Sequence, residues 1–429
     1  MPARLGPGLG AIRLAALSIA ACVASVVGCA DGDDGCDRSV ATPAGFCAQL
    51  FAEDVGPARH LAVAPWGDVY VARWREGSRV GSVLALRDTN ADGRADLRRT
   101  FGPEAGSGIA IGGGYLFLGT WGRVYRWRLR RGELVPPGEP EVVVDGIPEL
   151  EHGARSLALG TDGALYVNIG APSNACERDF PGRDLRGDRP CRELETSGGI
   201  WRFPGALLPV PRPLTPSRAN RYATGLRHSV ALGVDERDGS IYAAPHGIDH
   251  LDRWWPEAGF TAEDAAAKPG ETLFRIREGG DYGFPYCMYD PGIGRLVRAP
   301  AYGGSARAPA PCAAGERPIT AFAAHAAPMA IAIYHTAHFP ARYRGGMFVA
   351  LHGSIFRHPL EATGYSVEFL PRSGDGFGRP ETFFRGAGGG RPWSGRRSRP
   401  SGLAVGPDGS LYVADDSRGV VWRIHWRGE

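Results

Sequence analysis

LEHGARSLALGTDGALYVNIGAPSN, residues 150–174, opens with a histidine and an arginine three apart, His152 and Arg155. An apolar strand follows, then a tight Thr161-Asp162-Gly163 turn, a second strand Ala164-Leu165-Tyr166-Val167 and a Gly-Ala-Pro loop. The turn-and-strand unit recurs at Pro65–Ala72, Gly112–Leu118, Asp238–Ala243, Arg344–Ala350 and Pro407–Ala414. Each copy is a turn followed by alternating aromatic and aliphatic residues, the period of a β-strand. Some copies carry a further clear strand, Arg123–Trp127 or Val420–Ile424. Six copies at uneven intervals predict an all-β chain folded as a six-bladed β-propeller, with long insertions between the third, fourth and fifth copies. The strand Phe46–Ala52 is placed to close the ring by joining the last blade.

Composition agrees with many short strands. The 429 residues include 63 glycines and 35 prolines, and 43% are hydrophobic, enough for a large core. A net charge of +3 gives no argument for a nucleic-acid partner. The cations are almost all arginine, Lys268 being the one lysine, so any anion site must use Arg or His.

Residues 1–28 read as an export signal, with Arg4 and Arg13 before the apolar run Leu14–Val27. Val26-Val27-Gly28-Cys29 resembles a bacterial lipobox, which predicts a lipid anchor at Cys29 in the cell envelope; an ordinary cleaved signal is the alternative. Residues 29–45 are then a polar tether, and 46–429 the propeller. The apolar run is shorter than the roughly 20 residues a spanning helix needs. Of eight cysteines, two fall in this leader and six remain for an oxidising compartment. Pairing sequence neighbours predicts Cys36–Cys47, Cys176–Cys191 and Cys287–Cys312. Metal binding is the weaker reading, because none forms a Cys-x-x-Cys pair.

Several loops carry chemistry-bearing residues. Asp88, Asn90, Asp92 and Asp96 occupy positions one, three, five and nine of a calcium loop of the EF-hand kind, with Gly93 at six. Arg99 stands where the bidentate glutamate belongs, so the expectation is a structural calcium or simply a solvated turn. His152 is a candidate base, since a neutral histidine takes a proton from an alcohol. Gly225-Leu226-Arg227-His228-Ser229 and His246-Gly247-Ile248-Asp249 flank the fourth copy. Their carbonyls and Asp suit a hard cation, and their Arg a carboxylate. Arg396, Arg397 and Arg399 precede the last copy, and His352 and Arg357 follow the fifth.

These pieces in this order resemble the glucose/sorbosone dehydrogenase family, six-bladed sugar dehydrogenases that use pyrroloquinoline quinone. The resemblance runs from about Phe46 to Trp426. It is carried by His152-Gly-Ala-Arg155, Gly225-Leu-Arg-His-Ser229, Glu278-Gly-Gly-Asp-Tyr-Gly-Phe-Pro285, His325-Ala-Ala-Pro328 and Tyr343-Arg-Gly-Gly346, and leans to the sorbosone branch. It implies oxidation of a sugar, polyol or aldose outside the cytoplasm, with electrons passed to an external acceptor. It casts His152 as the base, Arg227 and Arg399 as arginines holding the quinone's carboxylates, and the carbonyls of Gly247 and Ile248 as calcium contacts. His228 and His352 fall at cofactor-contacting positions where the glucose branch has an asparagine and a lysine. The family's residue orienting the base falls at Ala171, and Glu271-Thr-Leu-Phe274 replaces an Asp-Glu-x-Asn segment. A calcium-dependent sugar lactonase and a non-catalytic surface propeller are the alternative readings on the same fold.

Overall fold

The turns that separate the first two strands of each blade explain why the repeated motif folds as it does. Asp162 Oδ1 accepts the Ala164 N–H, and Gly163 supplies the positive φ of +75° that the reversal requires. Asp408 and Gly409 repeat the arrangement, with Asp408 Oδ1 accepting the Ser410 N–H. The strand that follows is buried on both faces. In the first copy Tyr70 and Ala72 pack with Ile109, Leu116 and Leu118 of the next sheet. Val69 and Val71 point the other way, to Tyr412 and Ala414 of the last. That is why these strands read as near-continuous apolar runs and not as half-polar ones.

In this computed structural model the described residues are 35–74, 82–178, 185–209, 211–312, 315–386 and 397–428. The signal segment, Cys29, the start of the tether and Arg396 lie outside them. The sheets give six four-stranded antiparallel blades. Blades one to five span 58–101, 106–144, 157–224, 231–322 and 328–385. Blade six joins Pro400–Val405, Leu411–Asp415 and Val420–Trp426 to the opening strand Phe46–Ala52. Every copy of the sequence motif is the second strand of its blade. The first strands of successive blades pack against one another around the ring, and that of blade six returns to that of blade one. They therefore line the axis.

Antiparallel register sorts the loops onto two ends. Ala58 pairs with Arg73, Ala231 with Ala244, Pro328 with Leu351 and Pro400 with Asp415. So the chain just before each first strand and just after each second strand lies at one end of the ring. The loop 88–96 joins Arg87 to Leu97 and lies at the other. The long insertions of blades three and four build an accessory layer on the first end, where Ala171, Ala175, Ile248, Leu251, Trp255, Phe284 and Val297 share one buried cluster. All three expected disulfides are present, at Cys36–Cys47, Cys176–Cys191 and Cys287–Cys312. No helix among the described residues is long and apolar enough to cross a membrane.

Candidate functional site

The loops at the accessory end converge on a cavity of about 410 Å3. Its lining includes His152, Arg227, His228, Gly247, His352 and Arg399, which chain order scatters over nearly 250 residues and which the propeller closes into one wall.

His152 precedes the first strand of blade three. Its Nδ1 lies 2.5 Å from the Ala171 carbonyl, which can only accept, so Nδ1 carries the hydrogen and Nε2 is left as the basic nitrogen. A backbone carbonyl thus does the aiming that the family resemblance assigns to a carboxylate. Burial, then the nearby Arg227 charge, lowers the His152 pKa to about 3, so the ring is neutral. Gly170 is a glycine for a local reason: a Cβ there would stand 2.6 Å from the His152 Cβ and 3.0 Å from the His228 ring. The His152 and His228 rings are 4.8 Å apart, and His228 and His246 are 5.2 Å apart. Burial holds His228 well below its ordinary pKa, and its Nε2 is buried with no hydrogen-bond partner. Arg155, the other half of the His-x-x-Arg pair, is fully buried, and its guanidinium donates to the carbonyls of Trp121, His152 and Pro148. It holds the loop and stays out of the cavity.

Three guanidinium groups face the cavity, each held differently. Arg227 donates to the Asn174 carbonyl and Oδ1 and meets Asp249 Oδ2 at 3.1 Å. Arg59 meets Asp416 Oδ2 at 2.9 Å and lies over the Trp74 ring. Arg399 donates to the carbonyls of His352 and Gly353 and makes no ion pair among the described residues. His352 Nε2 is 2.7 Å from Asp416 Oδ1.

The cation-suited corner is built around the loop after the second strand of blade four. Gly247 lines the cavity, and its N–H is capped by Glu271 Oε2 at 2.8 Å. The Ile248 side chain is turned into the accessory core. Burial pushes the Glu271 carboxyl up to about 7. Burial alone would raise Asp249 too, but Arg227 and His325 outweigh it and hold that carboxyl well below the usual range. His325 sits between two acceptors, the Ala265 carbonyl at Nε2 and Asp249 at Nδ1; they overcome burial and raise its pKa.

Asp88, Asn90, Asp92 and Asp96 lie at the opposite end of the ring. There Asp88 Oδ2 accepts Gly93 N–H, Asp92 Oδ1 accepts Arg94 N–H and Asp96 accepts from Thr89. The loop is a network of side chain-to-backbone turns, each carboxylate accepting an N–H from within the loop. The reason is local: at this spacing each Asp caps an N–H two to seven residues away.

Sequence reading gave no role to Arg59, Glu271, His325 or Asp416. A positional signal existed, because Trp74, His246, His352 and Asp416 each stand one to three residues past the second strand of a blade. Without the register, that offset has no meaning.

The profile of a protein family described as TrAA12-like matches residues 40–427. Among curated proteins there is no significant match. Among solved structures, the calcium structure of the Trichoderma reesei carbohydrate-active enzyme of family AA12 superposes with a TM-score of 0.71 at 18% identity, covering 90% of this chain and 97% of that one. The holo form of the pyranose dehydrogenase PQQ domain from Coprinopsis cinerea gives 0.69 at 18% identity, with 90% and 97% covered. The apo aldose sugar dehydrogenase of Escherichia coli gives 0.59 at 16%, with 89% and 100% covered. At these identities the structures speak for the fold, and the six-bladed expectation agrees with them.

Proposed function

The chain belongs to the TrAA12-like family, and on that premise we propose that its channel binds pyrroloquinoline quinone with calcium and oxidises a sugar or polyol hydroxyl. The observation that carries the reading is a neutral His152, fixed by the Ala171 carbonyl, in a cavity faced by three arginines. The residues present fit the group. A flat tricarboxylate asks for several guanidinium groups, and Arg59, Arg227 and Arg399 supply them. About 410 Å3 is within the usual range for a cofactor-sized ligand. The orphaned His228 Nε2 is a polar atom in want of a partner. The Gly247 carbonyl with the carboxylates of Asp249 and Glu271 is an oxygen set that suits a hard cation.

When bound, the quinone supplies an electrophilic carbonyl that accepts a hydride. The chain does the rest. Arg399, held by the carbonyls of His352 and Gly353 and in no ion pair among the described residues, is placed to draw the carboxylates in. Asn174 and Asp249 keep Arg227 in place. His152 Nε2 receives the hydroxyl proton, and its low basicity is the cost of burial without a carboxylate behind it. Trp74 and Phe356, the latter 43% exposed, stand at the cavity mouth as apolar faces for a sugar ring. An export signal and lipid anchor at Cys29 set the reaction outside the cytoplasm, which three disulfides favour, and the electrons pass to an acceptor there.

The test is a titration of purified protein with quinone and calcium, followed by absorbance and thermal midpoint, since a ligand of the native state stabilises it. Saturable binding that weakens in Arg227→Ala, with dye-coupled aldose oxidation lost in His152→Ala, supports the dehydrogenase. A folded protein that binds no quinone at high micromolar concentration sinks it and leaves the lactonase or the inert propeller.

A further inference from the structure

Behind the channel wall lies a second group of carboxylates that the reaction does not use. The loop 171–178 carries Ala171, which aims His152, and Asn174, which fixes Arg227 and Asp249. It ends at Cys176-Glu177. The Cys176–Cys191 bond, with Cα atoms 6.1 Å apart, ties that end to the turn bearing Glu193. Ser173 stands between them: its hydroxyl donates to Glu193 Oε2 at 2.8 Å and accepts the Cys176 N–H at 2.8 Å.

Glu177 is 7% exposed, and neither of its carboxylate oxygens has a hydrogen-bond partner among the described residues. The N–H groups of Ala175 and Glu177 and the Ser173 hydroxyl lie on its side, yet none makes a bond to it of normal geometry. The two glutamates are close enough that the charge of Glu177 discourages ionisation of Glu193. An ionised carboxylate buried in this way costs several kcal/mol unless a cation meets it. No lysine or arginine does so among the described residues. Arg227, the cation whose field reaches Glu177, is spent on Asn174 and Asp249. The neighbouring sulfurs belong to a disulfide and are not ligands. What remains is an oxygen-only set, two carboxylates and a hydroxyl, with Glu193 half-buried. Hard divalent cations of the calcium kind prefer such a set.

We propose that Glu177 and Glu193, with the Ser173 hydroxyl, form a calcium-class cation site that is separate from the channel and braces the 171–178 loop. Bound there, the ion neutralises both carboxylates and fixes the segment from which His152 and Arg227 are positioned. Glu177 and Glu193 are positioning residues and touch neither substrate nor cofactor. The site does not depend on the quinone reading, and its test uses none.

The experiment compares the purified protein with Glu177→Gln and Glu193→Gln, in chelator and across a calcium titration, by thermal midpoint and by metal counted after dialysis. The wild type is expected to gain a few degrees and to retain one more calcium per chain than either variant. In chelator, Glu177→Gln is expected to melt above the wild type, because the substitution removes an unpaired buried charge. That crossover is not what a merely structural defect gives. Should Glu177→Gln misfold, Glu193→Gln carries the test, since its side chain is partly exposed. Variants that keep the full calcium shift and the same metal count overturn the proposal. So does a folded wild type that shows no calcium response.

Discussion

Six imidazoles, His60, His152, His228, His246, His352 and His425, are held neutral, with burial the largest cause. Backbone carbonyls set the tautomer of three: Met329 for His60, Ala171 for His152 and Pro328 for His246. The unfolded chain protonates each near 6.5, whereas the folded one waits until about 4 for His60 and His246 and about 3 for His152. Between those limits the unfolded state binds more protons, so their stability contribution is present above 6.5 and lost as pH falls. Glu193 and Glu271, pushed up to about 7, and the raised Glu177, Asp415 and His325 have the opposite sign: their contribution is present at low pH and lost on going up through the folded pKa. Each group tilts stability by at most about 1.4 kcal/mol per pH unit. The six imidazoles outnumber the five groups of opposite sign, and Glu177 and Asp415 start from unfolded values near 4, so they act mostly at lower pH. The thermal midpoint in metal-free buffer is therefore expected to drop on acidification from about pH 7 to about pH 5. A midpoint that holds level or rises would show that these histidines are solvated. At this scale the sequence offered His152, Arg227, His352 and Arg399 through the family resemblance. It gave no role to His325 and Asp416, whose partners Asp249 and His352 lie 76 and 64 residues away in the chain and meet them only in the folded propeller.

Elements were easier to read than side chains, because a strand is announced by its own neighbours. The glycine-bearing turn and the aromatic-aliphatic alternation pointed to the second strand of every blade. The insertions carry no such period, so the accessory layer was legible only as Cys spacing and Trp-rich runs. Its main fastening near the channel is Cys176–Cys191, which closes a 15-residue loop. Removing such a cross-link costs about 3 kcal/mol through the freedom returned to the unfolded chain. Here the loss has a functional arm, since Ser173 and Asn174 precede the bond and Asn174 holds Arg227. The Cys176→Ala/Cys191→Ala variant is expected to lose stability to denaturant and to bind quinone more weakly. Removing Cys36–Cys47, at the outer strand of blade six, is expected to lower stability with quinone affinity unchanged. Equal affinity in both variants would mean that the accessory layer does not brace the channel.

The whole molecule depends on a ring that the chain closes with its two ends. Six like units predict radial closure, but spacing alone does not say which strand completes the last blade; the register does. Phe46–Ala52 pairs antiparallel with Val420–Trp426, from Phe46 opposite Trp426 to Ala52 opposite Val421. Phe46 then stands edge-on to Phe339, Tyr343, Phe383 and Trp426, so one residue of the opening strand ties blade six to blade five. Without this strand, Val420–Trp426 becomes an open edge with unpaired N–H and C=O groups, a template for association with other chains. Closure also supplies the channel, because Arg59 of blade one reaches Asp416 of blade six across the seam. A chain beginning at residue 53 is therefore expected to melt early and to associate. Adding the segment 35–52 as a separate peptide is expected to restore a monomer by completing the sheet, the peptide's backbone groups supplying the missing ladder. If the shortened chain instead melts as a monomer at the wild-type midpoint, blade six is stable with three strands, and the ring is held by packing between the first strands around the axis.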